Sequence, residues 1–236
     1  MSLTPEAIAT LSQVTTATIT TVLLKKGLRN VWLRGAFPKQ PNQARVVGTA
    51  FTLRFVPARE DLATPASWAS PISTRTAIEA MEEGVVAVAD AMGVTDAGIF
   101  GDILCARMAK RKVGALITDG VMRDMEGVLA TGLPVWCAGA AAPASVASLT
   151  FVNWQEPIAC GGVAIFPGDT IVADGDGAVV IPQAMLAEIA QLAAEQEEQE
   201  SWIISEVHKG VPLPGLYPPN EETKARYAAW RKNQKS

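Results

Sequence analysis

Three charged residues stand out for chemistry: Asp102, and the adjacent pair Arg123 and Asp124. An arginine offers a planar fork of donors that matches a carboxylate. A carboxylate such as Asp124 suits a hard divalent cation. Ahead of Asp102 runs "AMGVTDAGIFG", where Gly98 and Gly101 precede a helix start. A glycine loop entering a helix presents free backbone N–H groups at the positive end of the helix dipole. That is a site for a carboxylate or phosphate. Each feature has an innocent alternative. Asp102 can cap its helix, and Arg123 and Asp124 can form a local surface pair or cap the helix beginning at Met125. Spacing alone leaves these readings open.

The elements around the charges decide whether they meet. "VVAVAD", ending at Asp90, is a short, continuously apolar strand, and "VGALITDG" is another. Between them "GDILCARMAKRK" places Ile103, Leu104, Arg107 and Met108 at helical spacing. A short helix over Met125 to Ala130 and a third strand, "LPVWCAG", follow. Strands alternating with helices predict βαβ units and a parallel sheet. In such sheets ligands sit outside the carboxyl ends of the strands. The loops carrying Asp102 and Arg123–Asp124 both follow such ends, so adjacent strands would bring them to one crevice.

The remaining elements frame this unit. Thr4 before Pro5 starts a helix, and "TTATITTVLLKKG" is a second, stopped at Gly27. "ARVVGTAFTLRFV" (44–56) alternates as a strand. Residues 57–73 hold three prolines and Trp68, and a loop this long is usually functional or disordered. Ser73 or Thr74 caps a helix, "TRTAIEAMEEG", ended by Gly84. Past residue 160 the pattern turns to short strands and tight turns. There "DGDG" (174–177) reads as a hairpin turn rather than a calcium loop, because the distal glutamate is missing. Its glycine spacing is also wrong for a dinucleotide fingerprint. A long helix spans Gln183 to Lys209 and contains "EQEEQE". An extended, proline-rich "GVPLPGLYPPN" and an amphipathic "EETKARYAAWRK" complete an arm that would be explained economically by embracing a neighbouring subunit.

Composition narrows the classes. The chain has 236 residues, 49% hydrophobic and 19% charged, enough for a sizeable core in one large or two small domains. A net charge of −4 gives no basic footprint for nucleic acid. No apolar run reaches bilayer length, so no membrane association is expected. "MSLTPEAIATL" lacks the basic start and apolar core of a signal peptide, and a cytoplasmic location is expected. Cys105, Cys137 and Cys160 include no CxxC and read as buried small hydrophobes in a reducing compartment. His208 is the sole histidine, which disfavours a Ser-His-Asp hydrolase. Any metal would then take carboxylates, carbonyls and waters, as Mg²⁺ or Mn²⁺ do. A Schiff-base lysine is disfavoured, since Lys110 and Lys112 lie at an exposed-looking helix end.

Asp102, twenty intervening residues, then Arg123 and Asp124 resemble the D-x20-R-D signature of the RraA-like family. That family holds the regulator of ribonuclease activity A and the class II 4-hydroxy-4-methyl-2-oxoglutarate/4-carboxy-4-hydroxy-2-oxoadipate aldolases. "VVGTAFTL" and "TDGVMRD" match as well, and "PGDTIVADGDGAVVIP" is similar to the family's GD-x-x-x-AD-x-x-G-x-x-x-IP block. These motifs span about residues 45 to 182.

The resemblance implies an α/β fold: a layered αββα sandwich like the phosphohistidine swivelling domain, with a parallel βαβ part, a hairpin-rich part and a C-terminal helical arm. Residues 1–182 would form the catalytic domain, and 183–236 a helix and arm contacting a neighbouring subunit in a trimer or dimer of trimers. The implied activity is a metal-dependent lyase that cleaves a 4-hydroxy-2-oxo acid and releases pyruvate. On that resemblance Asp124 holds Mg²⁺ or Mn²⁺ mostly through waters. Arg123 grips the 2-oxo acid and steadies the enolate. Gly98 belongs to the glycine loop, and the amides of Gly101, Asp102, Ile103 and Leu104 bind the substrate carboxylate. Asp102 also orients a water for proton transfer. A glutamate about ten residues before a glycine in a neighbouring subunit's C-terminal helix assists. Glu200, ahead of Gly210, is the choice, with Glu197 and Glu198 as competitors and a solvated acidic face as the alternative. The long 57–73 loop and the arm point to the aldolase branch. Arg59, Trp68 and Arg107 are candidates for the distal half of a substrate, with loop packing as an equal alternative for Arg59 and Trp68. Oxaloacetate decarboxylation would be a side activity through the same enolate. The alternatives are a lyase or dehydratase acting on a 2-keto-3-deoxy sugar acid, and a non-enzymatic protein-binding regulator of ribonuclease activity.

Overall fold

The computed structural model describes residues 3–234. The chain begins with α1 (Pro5–Leu11) and α2 (Thr16–Lys25), followed by β1 (Phe37–Pro38), β2 (Val46–Pro57) and α3 (Thr74–Ala80). Next come β3 (Val86–Asp90), α4 (Asp102–Lys110), β4 (Ala115–Thr118), β5 (Val121–Met122), α5 (Met125–Ala130) and β6 (Val135–Cys137). The last elements are β7 (Gly139–Ala140), β8 (Leu149–Trp154), β9 (Thr170–Asp174), β10 (Gly177–Ile181), α6 (Leu186–His208) and α7 (Glu221–Gln234).

Local sequence accounts for the helix starts. Thr4 Oγ1 accepts from the Ala7 amide at 3.2 Å with Pro5 in the first turn, and Thr15 Oγ1 accepts from the Thr18 amide at 3.1 Å. Ser73, rather than Thr74, caps α3 by accepting from Thr76 N at 3.3 Å. That helix stops at Ala80, short of the expected Gly84, because Met81 turns extended and buries its side chain in the core.

β2, at 12 residues, is the strand that organises the sheet. It pairs antiparallel with β9 through Val46–Thr49, parallel with β3 through Ala50–Arg54, and antiparallel with β8 through Leu53–Pro57. A register shift between Arg54 and Phe55 bends it at the change of partner. β3, β4 and β6 continue the sheet in parallel, so the expected βαβ part is present. The strand order is β1-β6-β4-β3-β2-β9-β10, with β8 also on β2. The sheet nearly closes on itself: Trp32 bridges to Val179 on β10, while β1 pairs with β6 at the other end. Trp136, fully buried on β6, donates its Nε1–H to the Asp174 carbonyl at 2.8 Å and ties the parallel part to the hairpin.

Both faces are covered, which explains the unbroken apolar runs in the strands. One core layer packs α1, α2 and the first half of α6 on the sheet through Leu11, Ile19, Leu23, Leu186 and Ile189. The other packs α3, α4 and α5 through Ile78, Met108, Leu116 and Val128. This is the layered α/β arrangement expected from the sequence. The "DGDG" stretch is a hairpin turn, as expected. The Asp174 carboxylate accepts from Thr16 N at 2.9 Å and Thr16 Oγ1 at 2.7 Å, which anchors α2 to the hairpin.

The C-terminal region differs from its expected shape. Residues 211–220 are not extended but wind through turns, with Leu216 N donating to Leu213 O and Asn220 N to Gly215 O. α7 therefore folds back on the second half of α6, where Tyr227 stacks on Trp230, Trp202 packs against both at a tilt, and Arg231 pairs with Glu198 at 2.9 Å. All three cysteines are free and buried, and burial pushes the Cys105 thiol up to about 12. Among the described residues, no single helix is long and apolar enough to cross a membrane.

Removing the Trp136 ring would open a large cavity and delete the hydrogen bond to the Asp174 carbonyl. Trp136→Ala is expected to lower stability by about 3–5 kcal/mol in urea denaturation. A change below about 1 kcal/mol would show that this indole does not link the two parts of the sheet.

Candidate functional site

The chemistry-bearing loops do not sit directly on the strand ends. The acids at those ends are Asp90 and Asp119, and both hold backbone. Asp119 accepts from the amides of Ala91, Gly93 and Gly161 at 2.9–3.1 Å. Burial pushes its carboxyl above the usual range, against those three donors. Asp90 accepts from Met92 and Ala159. The loop over 159–162 thus closes the strand ends, and the site forms one layer further out.

There the segment 98–100 runs between two others like an added strand. Gly98 bridges in parallel to Val121 and to Ala144. Gly98 N donates to Pro143 O, Ile99 N to Val121 O, and Arg123 N to Phe100 O, each at 2.9 Å. Such an approach requires glycine at Gly98 and is eased by one at Gly101. A Cβ on Gly98 would lie 2.5 Å from Arg123 N and 2.7 Å from Arg123 Cβ. A Cβ on Gly101 would lie 2.9 Å from Asp124 Oδ2. Gly127 on α5 performs the same service for Asp102, whose Cβ is 2.8 Å from where its own would be. The structure therefore brings Asp102, Arg123 and Asp124 together, with twenty residues of helix and strand as the spacer.

The resulting cleft, of about 270 Å³, is lined by Gly98, Gly101, Asp102, Ile103, Leu104, Arg123 and Asp124 from these loops. Trp68, Thr74, Arg75, Ile99, Ala144 and Ser145 complete it. Arg123 Nε donates to Asp124 Oδ2 at 3.1 Å, so the local pair does exist. It leaves the outer nitrogens of Arg123 and Oδ1 of Asp124 without a protein partner among the described residues. Asp124 has left-handed backbone (φ 51°), uncommon outside glycine but tolerated by Asp and Asn, and it makes no side-chain cap for α5. Asp102 is not the cap of α4 either. Gly101 occupies that position, and Asp102, one residue later, accepts from Ile103 N at 2.7 Å. Of the first-turn amides of α4, those of Asp102 and Leu104 remain open. Ile103 is 79% exposed at the mouth.

Other sequence candidates lie elsewhere. Arg107 is bound bidentately to Glu79 at 2.7 Å, and Arg59 to Asp61 at 2.7 and 2.8 Å, and neither lines the cleft. Glu200 sits on α6, accepting from Gln196 at 2.9 Å and Thr18 at 3.4 Å, outside the cleft of its own chain. Glu197 accepts from Thr15, and Glu198 pairs with Arg231. Trp68 does reach the cleft. Arg75, Ala144 and Ser145 were not singled out by sequence reasoning, and Thr74 entered only as an alternative cap of α3. For Arg75 the available signal was its place two residues after the Ser73 cap; for residues 144–145 there was none.

Among the described residues no group of three His, Cys, Asp or Glu side chains could enclose a metal. The donors present fit a different kind of ion. Mg²⁺ keeps several waters and is commonly held by one or two carboxylates plus substrate oxygens. Asp124, half-exposed with Oδ1 open, matches that requirement.

The profile of the RraA-like family (Aldolase/RraA) matches residues 15–180. The chain belongs to the RraA-like family. It is similar to a Halalkalibacterium halodurans protein named "Putative 4-hydroxy-4-methyl-2-oxoglutarate aldolase", at 34% identity over 117 residues, half of this chain and 55% of that one. Protein DlpA of Legionella pneumophila is 30% identical over 145 residues, 61% of this chain but 23% of its own length. The chain thus spans less than two thirds of these curated relatives. RraAS2 of Streptomyces coelicolor, described as an unusual member of the RNase ES inhibitor RraA protein family, superposes with a TM-score of 0.76. It is 33% identical and covers 86% of this chain and 97% of its own.

The two glycines of the cleft should respond differently to alanine. Gly98→Ala meets backbone and should cost about 1–3 kcal/mol. Gly101→Ala meets the movable end of a carboxylate, so stability should stay within about 0.5 kcal/mol. Chemical denaturation of both variants measures this, and equal losses would contradict the glycine-limited approach.

Proposed function

We propose that the chain is a divalent-metal-dependent carbon–carbon lyase. It cleaves a 4-hydroxy-2-oxo acid, such as 4-hydroxy-4-methyl-2-oxoglutarate, by retro-aldol reaction and releases pyruvate. What carries this reading is the meeting, in one cleft, of the first turn of α4, the open fork of Arg123 and the carboxylates of Asp102 and Asp124. The aldolase name of the Halalkalibacterium relative supports it.

In the reaction a proton leaves the 4-hydroxyl, the C3–C4 bond breaks, and its electron pair becomes the enolate of pyruvate, which is then protonated at C3. A divalent ion, when bound beside Asp124, supplies Lewis acidity against the developing enolate charge. The amides of residues 101–104 receive the substrate carboxylate, which displaces the Asp102 carboxylate from Ile103 N. The outer nitrogens of Arg123 hold the 2-oxo end while Nε stays with Asp124. Asp102, freed from Ile103, orients the water that carries the proton. Glu200 assists from a neighbouring copy in a trimer or hexamer, since it lies outside the cleft of its own chain. Oxaloacetate decarboxylation, through the same enolate, is a side activity. Fixed charge of this kind typically contributes 10²–10³ in rate, about 3–4 kcal/mol.

A second reading, a regulator that binds an RNA-degrading enzyme, is favoured by the Streptomyces structure. One experiment separates the two. With Mg²⁺ or Mn²⁺ the purified protein should release pyruvate from 4-hydroxy-4-methyl-2-oxoglutarate and from oxaloacetate, and chelator should abolish release. Asp124→Asn keeps the left-handed backbone and removes the charge, and should lower kcat/KM by about 100-fold or more. Absence of metal-dependent turnover across a panel of such acids would reject the lyase and leave the regulator.

A further inference from the structure

The cleft contains a second cation that the reaction above does not use. Arg75, in the first turn of α3, lines the same cavity as Arg123 and the α4 amides. Its guanidinium lies over the Trp68 ring, 5.3 Å from the centroid. Stacking of this kind orients the fork without consuming its donors. The other arginines near this region are occupied: Arg59 by Asp61, and Arg107 and Arg111 by Glu79. Arg75 has no acid within ion-pair distance among the described residues. It is thus an oriented cation, facing a cleft, with its charge unspent.

The loop 57–73 supplies the ring. Trp68 lies in a short 3-10 turn, Pro65–Ala69, and stays 37% exposed. A tryptophan left at a cleft wall under an arginine is better explained by a ligand than by packing, because it contributes little to either core layer.

We infer that Arg75, oriented by Trp68, binds a second carboxylate at the far end of the substrate, so that the site selects 2-oxo dicarboxylates over 2-oxo monocarboxylates. This rests on the proposed lyase reading for the position of the 2-oxo end at Arg123 and the α4 amides. Arg75 is the specificity-determining residue and Trp68 its positioning residue. Hydrogen bonds to a charged partner in such a site are worth about 10- to 100-fold in affinity.

Binding and turnover are measured separately. In the presence of Mg²⁺, titration calorimetry compares 2-oxoglutarate with 2-oxobutanoate on the wild type, Arg75→Ala, Arg75→Lys and Trp68→Leu. The wild type should prefer 2-oxoglutarate by at least about tenfold. Arg75→Ala should erase that preference while leaving 2-oxobutanoate affinity unchanged. Arg75→Lys should restore part of it, since the charge returns without the planar fork. Trp68→Leu should weaken 2-oxoglutarate alone, by a smaller factor. Equal affinity of the wild type for both acids, no binding of 2-oxoglutarate, or an equal loss for both acids in Arg75→Ala would each overturn the assignment. Pyruvate release from 4-hydroxy-4-methyl-2-oxoglutarate is followed in parallel. Selective binding without release would reject the lyase while keeping the dicarboxylate site. Release that is unchanged in KM by Arg75→Ala would do the reverse.

Discussion

The site depends on one close approach, that of the backbone at 98–101 to the backbone at 122–124. At Gly98 the distance left for a side chain is 2.5 Å to an amide nitrogen, which no other residue can accept without moving the loop. The approach does several things at once. It extends the short pairing of β5 with β7 by a further segment, and it places Arg123 and Asp124 against the start of α4. It also turns Asp124 into left-handed backbone, so that its carboxylate faces the cleft rather than capping α5. Free helix amides, a guanidinium and a carboxylate become neighbours because two glycines leave them room.

The rest of the fold serves to hold that layer rigid. The strand-end acids, Asp90 and Asp119, would be obvious candidates for catalysis by position. They are instead consumed by backbone donors from the loops after β3 and before β9. Five amides bound to two buried carboxylates fix the loops from below, at the cost of a raised Asp119 pKa. The outer layer can then carry an exposed Arg123–Asp124 pair that contributes little to stability and is free to change partners.

Much of this was legible in the sequence, for physical reasons. Caps at Thr4, Thr15 and Ser73 and the continuous apolar runs of β3 and β4 mark elements through local chemistry alone. Glycines before α4 and the Arg123–Asp124 pair marked the site, although the glycines were read as an anion loop and act first as clearance. What escaped was non-local. β8 (Leu149–Trp154) has no clear alternation and exists because β2 bends to receive it. Residues 144–145 enter the cleft only because Gly98 pairs with Ala144. Arg75 drew no reading at all, since the ring that orients it lies in a loop without periodicity. The tail was expected to be extended from its prolines, but Gly215 (φ 83°) and the apolar contacts of Leu216 with Trp202 fold it back.

The proposed lyase requires the two loops to form one binding site for the enolate of a 2-oxo acid and a divalent ion. A crystal structure with Mn²⁺ and oxalate, a planar mimic of that enolate, tests it most directly, because manganese is located by its anomalous scattering. The expected result is a manganese peak beside Asp124, with oxalate between it, Arg123 and the amides of residues 101–104. Manganese and oxalate bound elsewhere, with this cleft holding only water at saturating concentrations, would contradict it.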